Sequence, residues 1–492
     1  MDSPQRGYAD RGVLVVGARV AGAAAARVLA RLGARVTVVD RTRTAQLEEL
    51  ADQGITTLVA DDTSPVSLEG VDQVVVSPGV PPGHPLVQAA ARAGIEVFSE
   101  PELAWRLRGP DAAPWLAVTG SNGKTTTVTM LADMLRAAGL RAAALGNIGE
   151  PLVDVVMEPR YDVIAVELSS FQLHWSIRLA PSAGALLNLA DDHLDWHGGF
   201  EAYAAAKALI WRGEGGVDAR AAAGRSSDAS GSPHDPLIRL GTPVAVGNAD
   251  DPRVAALLAQ APGRRVGFTV GPPGPDQLGV VDGVLVDRAF EGGELIAADK
   301  VRPSGVHNVA NALAAAALAR AAGVPPDAVR RGLEGYVPQP HRNAVVATVN
   351  GVTFVDDSKA TNPHAAAGSL TAYPRVVWIA GGQLKGVEVD DLVASIRDRL
   401  VGAVLLGVDR KRIAAALARH TPDIPVVDVT STDDGAMRQA VAAAWRLARP
   451  GDTVLLAPAA ASLDMYPSYA HRGRAFAEAV AEVTGSTGAV AQ

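Results

Sequence analysis

The chain has 492 residues, 48% apolar and 20% charged, which excludes a disordered chain and predicts two to four domains at roughly 100–200 residues each. Its 45 Lys and Arg against 53 Asp and Glu give a formal charge of −8, which argues against a nucleic-acid coat and says little about small anions held by a few local groups. There is no Cys, so disulfides, thiolate metal sites and thiol catalysis are excluded. No apolar run reaches ~18 residues and Met1–Gly12 is polar, so the expectation is a cytoplasmic protein with no membrane or nucleic-acid partner, working as a monomer.

Three segments follow in chain order, with boundaries expected at 1–112, 113–335 and 336–492. The first reads as a strand over Val13–Gly17, an Ala-rich helix over Ala23–Leu32 and a strand over Arg35–Asp40, which is a βαβ unit. Val74–Val76, followed by Ser77-Pro78-Gly79, reads as a later strand of the same sheet. The turn Gly17-Ala18-Arg19-Val20-Ala21-Gly22 puts Arg where a dinucleotide fingerprint needs its middle Gly, so NAD is not expected. Gly109–Pro114 reads as a linker.

The second segment opens with the strand Trp115–Thr119, followed by Gly120-Ser121-Asn122-Gly123-Lys124-Thr125-Thr126 and a helical stretch. A Gly-rich turn between strand and helix aims backbone N–H groups at an anion, and the helix N-terminus adds positive potential. Lys124 can neutralise β- and γ-phosphate charge, and the Thr125 hydroxyl can reach a Mg²⁺. The loop is shorter than the usual spacing, which would place Gly at Val118. Strands are also expected at Val163–Glu167 and Ala185–Leu189. Glu167, at a strand end, suits a cation beside the phosphate loop. The His193 segment, Asp191-Asp192-His193-Leu194-Asp195, is either structural or metal-binding. Lys207 reads by itself as the solvated end of a helix, and Asn308 of His307-Asn308-Val309-Ala310-Asn311 as a cap of the helix Val309–Ala322. Residues 213–237, rich in Gly, Ser, Ala and Asp, read as an exposed insertion.

After a linker near Tyr336–Pro340, the third segment carries buried parallel strands at Val376–Gly382, Ala403–Gly407 and Thr453–Pro458. Polar loops accompany them: Asp356-Asp357-Ser358-Lys359-Ala360-Thr361-Asn362, Gly381-Gly382-Gln383-Leu384-Lys385-Gly386 and Ala459-Ala460-Ala461-Ser462-Leu463-Asp464. Each is a candidate site and each could equally be a plain turn or a helix cap.

The shortened phosphate loop resembles that of the Mur ligases and their relatives the folylpolyglutamate synthases, which form amides through an acyl phosphate. The resemblance runs from Val13 to about Gly473 with the motifs in the family's order. It implies an α/β chain with a Rossmann-like N-terminal domain for a UDP-sugar, a central P-loop ATPase-type domain for ATP and a C-terminal Rossmann-like domain for an amino acid. Two Mg²⁺ are implied, one near Thr125 and Glu167 and one near His193 and Lys207, the latter carbamylated. Lys124, His193 and Lys207 are then the catalytic residues, with Asn308, Asn311, Arg342 and Asp357 joining Gly120–Thr126 around ATP. The Asp-Ser-Lys-Ala-Thr-Asn run is similar to the branch that adds D-glutamate to a UDP-linked muramoyl-L-alanine. Lys359, Thr361, Lys385, Ser462 and Tyr469 would hold D-glutamate; Asp40, Arg41, Ser77 and Asn147 would face the sugar nucleotide. Tyr469 stands where the family has Phe, which keeps a ring and adds a hydroxyl. Domain closure is expected, to keep water from the acyl phosphate. The rival readings are a different amino-acid acceptor and a nucleotide-binding module without turnover.

Overall fold

The computed structural model describes residues 7–61, 64, 66–109, 112–158, 160–212, 242–290, 292–431, 433 and 435–485. The stretch at 213–237, expected as an insertion, lies outside the described residues. Three sheets carry the fold. The first contains β1 (Gly12–Val16), β2 (Arg35–Asp40), β3 (Thr56–Val59), β4 (Gln73–Val76) and β5 (Glu96–Ser99), all parallel, in the order β3-β2-β1-β4-β5. The order reverses between β1 and β4, so a crevice opens there at the C-terminal strand ends, where ligands of such sheets bind. The helix after β1 begins at Val20, earlier than the Ala run suggests.

The second sheet contains β6 (Trp115–Thr119), β7 (Ala142–Gly146), β8 (Val163–Glu167), β9 (Ala183–Leu186), β10 (Val244–Asn248), β11 (Arg264–Phe268), β12 (Gln277–Val281), β13 (Val284–Asp287) and β14 (Gly293–Ala297). Their order is β14-β13-β12-β11-β10-β9-β6-β8-β7. β6, β8 and β9 are buried along their whole lengths, as β-branched and small apolar runs covered on both faces must be. β9 ends at Leu186, so Asn188 and Leu189, expected in the strand, already belong to the loop. The antiparallel ribbon β12–β14 was not anticipated, although Asp282-Gly283 between two Val-rich runs is a hairpin signal. Both turn residues have positive φ, 48° and 76°, as that turn requires.

The third sheet contains β15 (Ala344–Val349), β16 (Val352–Asp356), β17 (Val376–Gly381), β18 (Leu400–Leu406), β19 (Val426–Asp428) and β20 (Thr453–Leu456), in the order β15-β16-β20-β17-β18-β19. Its body is parallel as expected. β15 departs, pairing antiparallel with β16 through the turn Asn350-Gly351.

The residues group into two compact units, Met1–Ala298 with Ala310–Gly335, and Asp299–Val309 with Tyr336–Gln492. The first two sheets thus share one unit. Their common core joins Val13, Val15 and Leu29 to Trp115, Ala117 and Val166. Glu102, fully buried, fastens them further. Its carboxylate accepts the backbone N–H groups of Ile177, Arg178 and Leu179 at 2.9–3.0 Å and pairs with Arg106 at 2.8 Å. A buried carboxylate is tolerable when its lone pairs are used this fully.

Candidate active site

β6 ends at Thr119, whose Oγ1 donates to Leu168 O at 2.7 Å and locks the loop's start to β8's end. Gly120–Gly123 then turn into the helix Lys124–Ala137. Gly123 sits at φ 83°, and a Cβ there would run into Asn311 Oδ1, so only glycine fits. Asn188 accepts from Asn122 N at 2.8 Å and returns its amide to Asn122 O at 3.1 Å. The Ser121 hydroxyl meets Tyr203 OH at 2.7 Å and accepts from Ala190 N at 2.9 Å. The loop is therefore held from outside, with its shape set before any anion arrives. Thr126 is buried in the first turn behind it.

Two lysines converge on this loop. Lys124 Nζ donates to Gly120 O at 2.8 Å and Ser121 O at 3.0 Å, while Lys207 Nζ donates to Gly120 O at 2.8 Å. Lys207 is only 2% exposed, which corrects its reading as a solvated helix end. The helix Phe200–Ala208 is Ala-rich on every face and packs closely enough to enclose the side chain. Burial first, and the neighbouring Lys124 charge second, hold the Lys207 ammonium well below the usual lysine range. Tyr203, one turn earlier, lies 4.7 Å beneath its Nζ, and burial pushes the phenol pKa up.

Glu167, 2% exposed at the end of β8, accepts from Thr125 Oγ1 at 2.7 Å and from Asn147 Nδ2 at 2.9 Å. Thr125 and Glu167 thus present two hard oxygens side by side, a donor set that suits Mg²⁺. Among the described residues no three His, Asp or Glu side chains converge into a cage. His193 has a left-handed backbone, φ 54°; its Nε2 lies 3.5 Å from Asp192 Oδ2 and its ring 4.6 Å from Phe171. Imidazole and carboxylate, with Lys207 if it were an anion, are the groups available for a second cation.

In the first sheet, Asp40 closes the β1 turn, accepting from Ala18 N at 2.7 Å and Thr42 N at 3.3 Å. Ser77 Oγ donates to Gly17 O at 3.0 Å across the β1–β4 crevice. Arg41 is exposed beside Asp40.

In the second unit, Asp357 N donates to Leu456 O at 2.9 Å. Its carboxylate accepts from Asn343 N at 3.1 Å and from the Ser369 hydroxyl. Burial pushes the Asp357 carboxyl up to about 6, with those hydrogen bonds and Arg342 opposing. Asn308 lies inside the helix Val306–Ala321, which corrects its reading as a cap; its Nδ2 donates to Ser304 O at 3.3 Å. Lys359 Nζ lies 3.8 Å from the centre of the Tyr469 ring, a cation–π contact. Ser462 is buried, Thr361 half-buried and Lys385 exposed with φ 51°.

Arg472 holds these loops together. Only 2% exposed, it donates through Nε to Ser358 Oγ at 3.0 Å, through Nη2 to Ser358 O at 2.9 Å and through Nη1 to Ala460 O at 3.1 Å and Gly381 O at 3.4 Å. One guanidinium thereby joins the loops of Lys359, Lys385 and Ser462. Burial lowers its pKa to about 10. The sequence shows Arg472-Gly473, but nothing in it reveals this role. The adjacent Gly473 leaves room for His341, whose Nδ1 pairs with Asp356 Oδ2 at 2.6 Å. Of the residues expected around ATP, Gly120–Thr126 and Asn311 belong to the first unit, and Asn308, Arg342 and Asp357 to the second.

Chemically, the first unit offers a preformed anion cradle, the cationic Lys124 with the buried amine of Lys207 beside it, and a place for a divalent cation. The second offers cations and hydroxyls suited to a small anion. Residues 11–99 match the Mur ligase MurD-like N-terminal domain, 118–217 the Mur ligase middle domain and 341–460 the Mur ligase glutamate ligase domain. UDP-N-acetylmuramoylalanine–D-glutamate ligase of Streptomyces coelicolor is 52% identical over 97% of this chain and 99% of its own length. That of Thermobifida fusca is 51% identical over 96% and 99%. Among solved structures, MurF of Acinetobacter baumannii aligns with a TM-score of 0.57 at 18% identity, covering 98% of this chain and 92% of its own. At that identity the likeness speaks for the fold alone.

Proposed function

Since the chain belongs to the Mur ligase family, we propose that it joins D-glutamate to UDP-N-acetylmuramoyl-L-alanine at the expense of ATP, in the cytoplasmic synthesis of peptidoglycan precursor. The observation that carries this reading is Lys124 folded onto the Gly120 turn beside the Thr125–Glu167 pair, a cradle for the terminal phosphates of a nucleotide and their cation.

A carboxylate is a poor electrophile, so it must be activated. Its oxygen attacks the γ-phosphorus of ATP, the bond to the β-phosphate oxygen breaks, and ADP leaves. Lys124 and the N-terminus of the helix that it opens neutralise the charge that develops. The neutral D-glutamate amine then attacks the acyl carbon. The tetrahedral intermediate expels phosphate, and the amine's proton passes to solvent or phosphate. Thr125 and Glu167 would hold one Mg²⁺, and His193 with Lys207 a second; bound there, Mg²⁺ supplies positive charge to the phosphate oxygens. For that second site Lys207 adds CO₂ as a neutral amine, giving a carbamate anion and a released proton, and its depressed pKa supplies the neutral amine. Asn308, Asn311, Arg342 and Asp357 serve ATP; Lys359, Thr361, Lys385, Ser462 and Tyr469 hold D-glutamate. Asp40, Arg41, Ser77 and Asn147 serve the sugar nucleotide.

The test is phosphate release with ATP, UDP-N-acetylmuramoyl-L-alanine and D-glutamate, with L-glutamate and L-alanine as control acceptors. Release confined to D-glutamate supports the reading. Release with L-alanine points to another acceptor, and ATP binding without release points to a module that does not turn over.

A further inference from the structure

Neither Trp175 nor Trp196 belongs to any motif used above, yet both reach one turn of the first sheet. That turn, Ser77–Val80, leaves β4 at the crevice, closed by Val80 N donating to Ser77 O at 3.0 Å. On one side Ser77 Oγ ties it to Gly17 O. On the other it receives two indole donors, Trp175 Nε1 to Val80 O at 3.2 Å and Trp196 Nε1 to Gly79 O at 3.4 Å.

The two indoles come from the segments that carry Glu167 and His193. Trp175 follows the helix Ser170–His174, and Trp196 lies in the short helix Leu194–His197 directly after His193. Trp175 also packs on the first sheet's core beside Leu14, Val16 and Val76, and its own carbonyl accepts from Ser99 N at 2.9 Å. Rings fill the space between. His174 lies 4.7 Å from Trp175 and 5.1 Å from Trp196, and Phe171 lies 4.6 Å from both Trp196 and His193. A continuous aromatic layer thus connects the acid-bearing segments to the turn at the crevice.

We infer that Trp175 and Trp196 are positioning residues for the sugar-nucleotide substrate, their indole N–H groups fixing the crevice turn relative to the segments of Glu167 and His193. The inference rests on the proposed function. A substrate held at its uridine end by the first sheet must deliver its carboxylate to a phosphate held by the second, so the spacing between the two anchors matters. A displacement of about 1 Å is enough to lose a large part of the rate. Phe at either position keeps the ring layer and removes only the donor.

The experiment compares wild type, Trp175→Phe, Trp196→Phe and the double variant. It measures KM for each of the three substrates, kcat, melting temperature, and calorimetric binding of UDP alone. Each lost donor should raise KM for the sugar nucleotide about fivefold, and the double about twentyfold. The kcat should fall as well, while binding of UDP alone, which does not span the two anchors, KM for ATP and for D-glutamate and the melting temperature hold. A double variant with an unaltered sugar-nucleotide KM, or with all three KM values raised alike as the melting temperature falls, overturns the inference. Should the double variant not fold, Trp196→Phe, at the more exposed bond, carries the same test. A wild type that releases no phosphate defeats the proposed function and this inference with it; an active wild type with an indifferent double variant defeats this inference alone.

Discussion

The phosphate loop of the first unit and the acceptor loops of the second are both charged sites at the ends of parallel strands, but they are held in different ways. In the first, contacts from within the loop add to the distant holds of Leu168, Asn188 and Tyr203. Lys124 turns back onto Gly120 and Ser121, and Gly123 supplies the one backbone shape the turn allows. In the second, local turns such as Ser358 N to Asp356 Oδ1 are joined by one distant side chain. Ser358, Gly381 and Ala460 come from three strand ends and meet on Arg472, 114 residues beyond the first of them. A cradle held at several points should lose chemistry and keep its shape when one side chain goes. A pocket that hangs on one guanidinium should lose its shape.

The comparison breaks first at Lys124. Lys124→Ala should cut kcat/KM by about ten-thousandfold with little change in melting temperature, as expected for charge supplied to a transferring phosphoryl group. A large loss of stability instead would mean that the side chain is there to build the loop. Lys207→Arg comes next, at about a thousandfold, because guanidinium stays charged and cannot form a carbamate. Activity near the wild-type level with Arg at 207 would remove the carbamate from the account. Arg472→Met should act differently, raising KM for D-glutamate about a hundredfold and lowering the second unit's stability, with KM for ATP less affected. Equal changes in both constants would erase the distinction between the two sites.

The smallest effect concerns Glu100, where the first two sheets meet. It is 2% exposed, accepts from Val153 N at 2.6 Å, and burial raises its carboxyl to about 7. The folded state then binds more protons than the unfolded one between the ordinary carboxylate value and about 7. Stability is therefore full at low pH and falls as pH rises through that window, by up to about 3 kcal/mol. Urea titrations at pH 5 and pH 8 should show Glu100→Gln losing less stability than wild type over that span. Parallel curves would contradict the assignment.

What the sequence reveals follows the same local and long-range division. Trp115–Thr119, the loop after it and Val163–Glu167 were legible because strand, turn and helix signals lie side by side. Lys207 was not, because an Ala-rich helix has no polar face to tell which way a lysine points. The ribbon β12–β14 was overlooked although Asp282-Gly283 announces its turn. Arg472 was visible as a residue, but its three partners are joined by tertiary packing that no spacing encodes. The match of the three loops to a known branch supplied the acceptor; their chemistry alone indicated only a small anion.

The most direct measurement of the central claim uses UDP-N-acetylmuramoyl-L-alanine labelled with ¹⁸O in its carboxylate, turned over with ATP and D-glutamate. If the phosphate cradled by Lys124 makes an acyl phosphate, one labelled oxygen must leave with phosphate as the amide forms. Released phosphate carrying ¹⁸O is the predicted result. Turnover with unlabelled phosphate would contradict it.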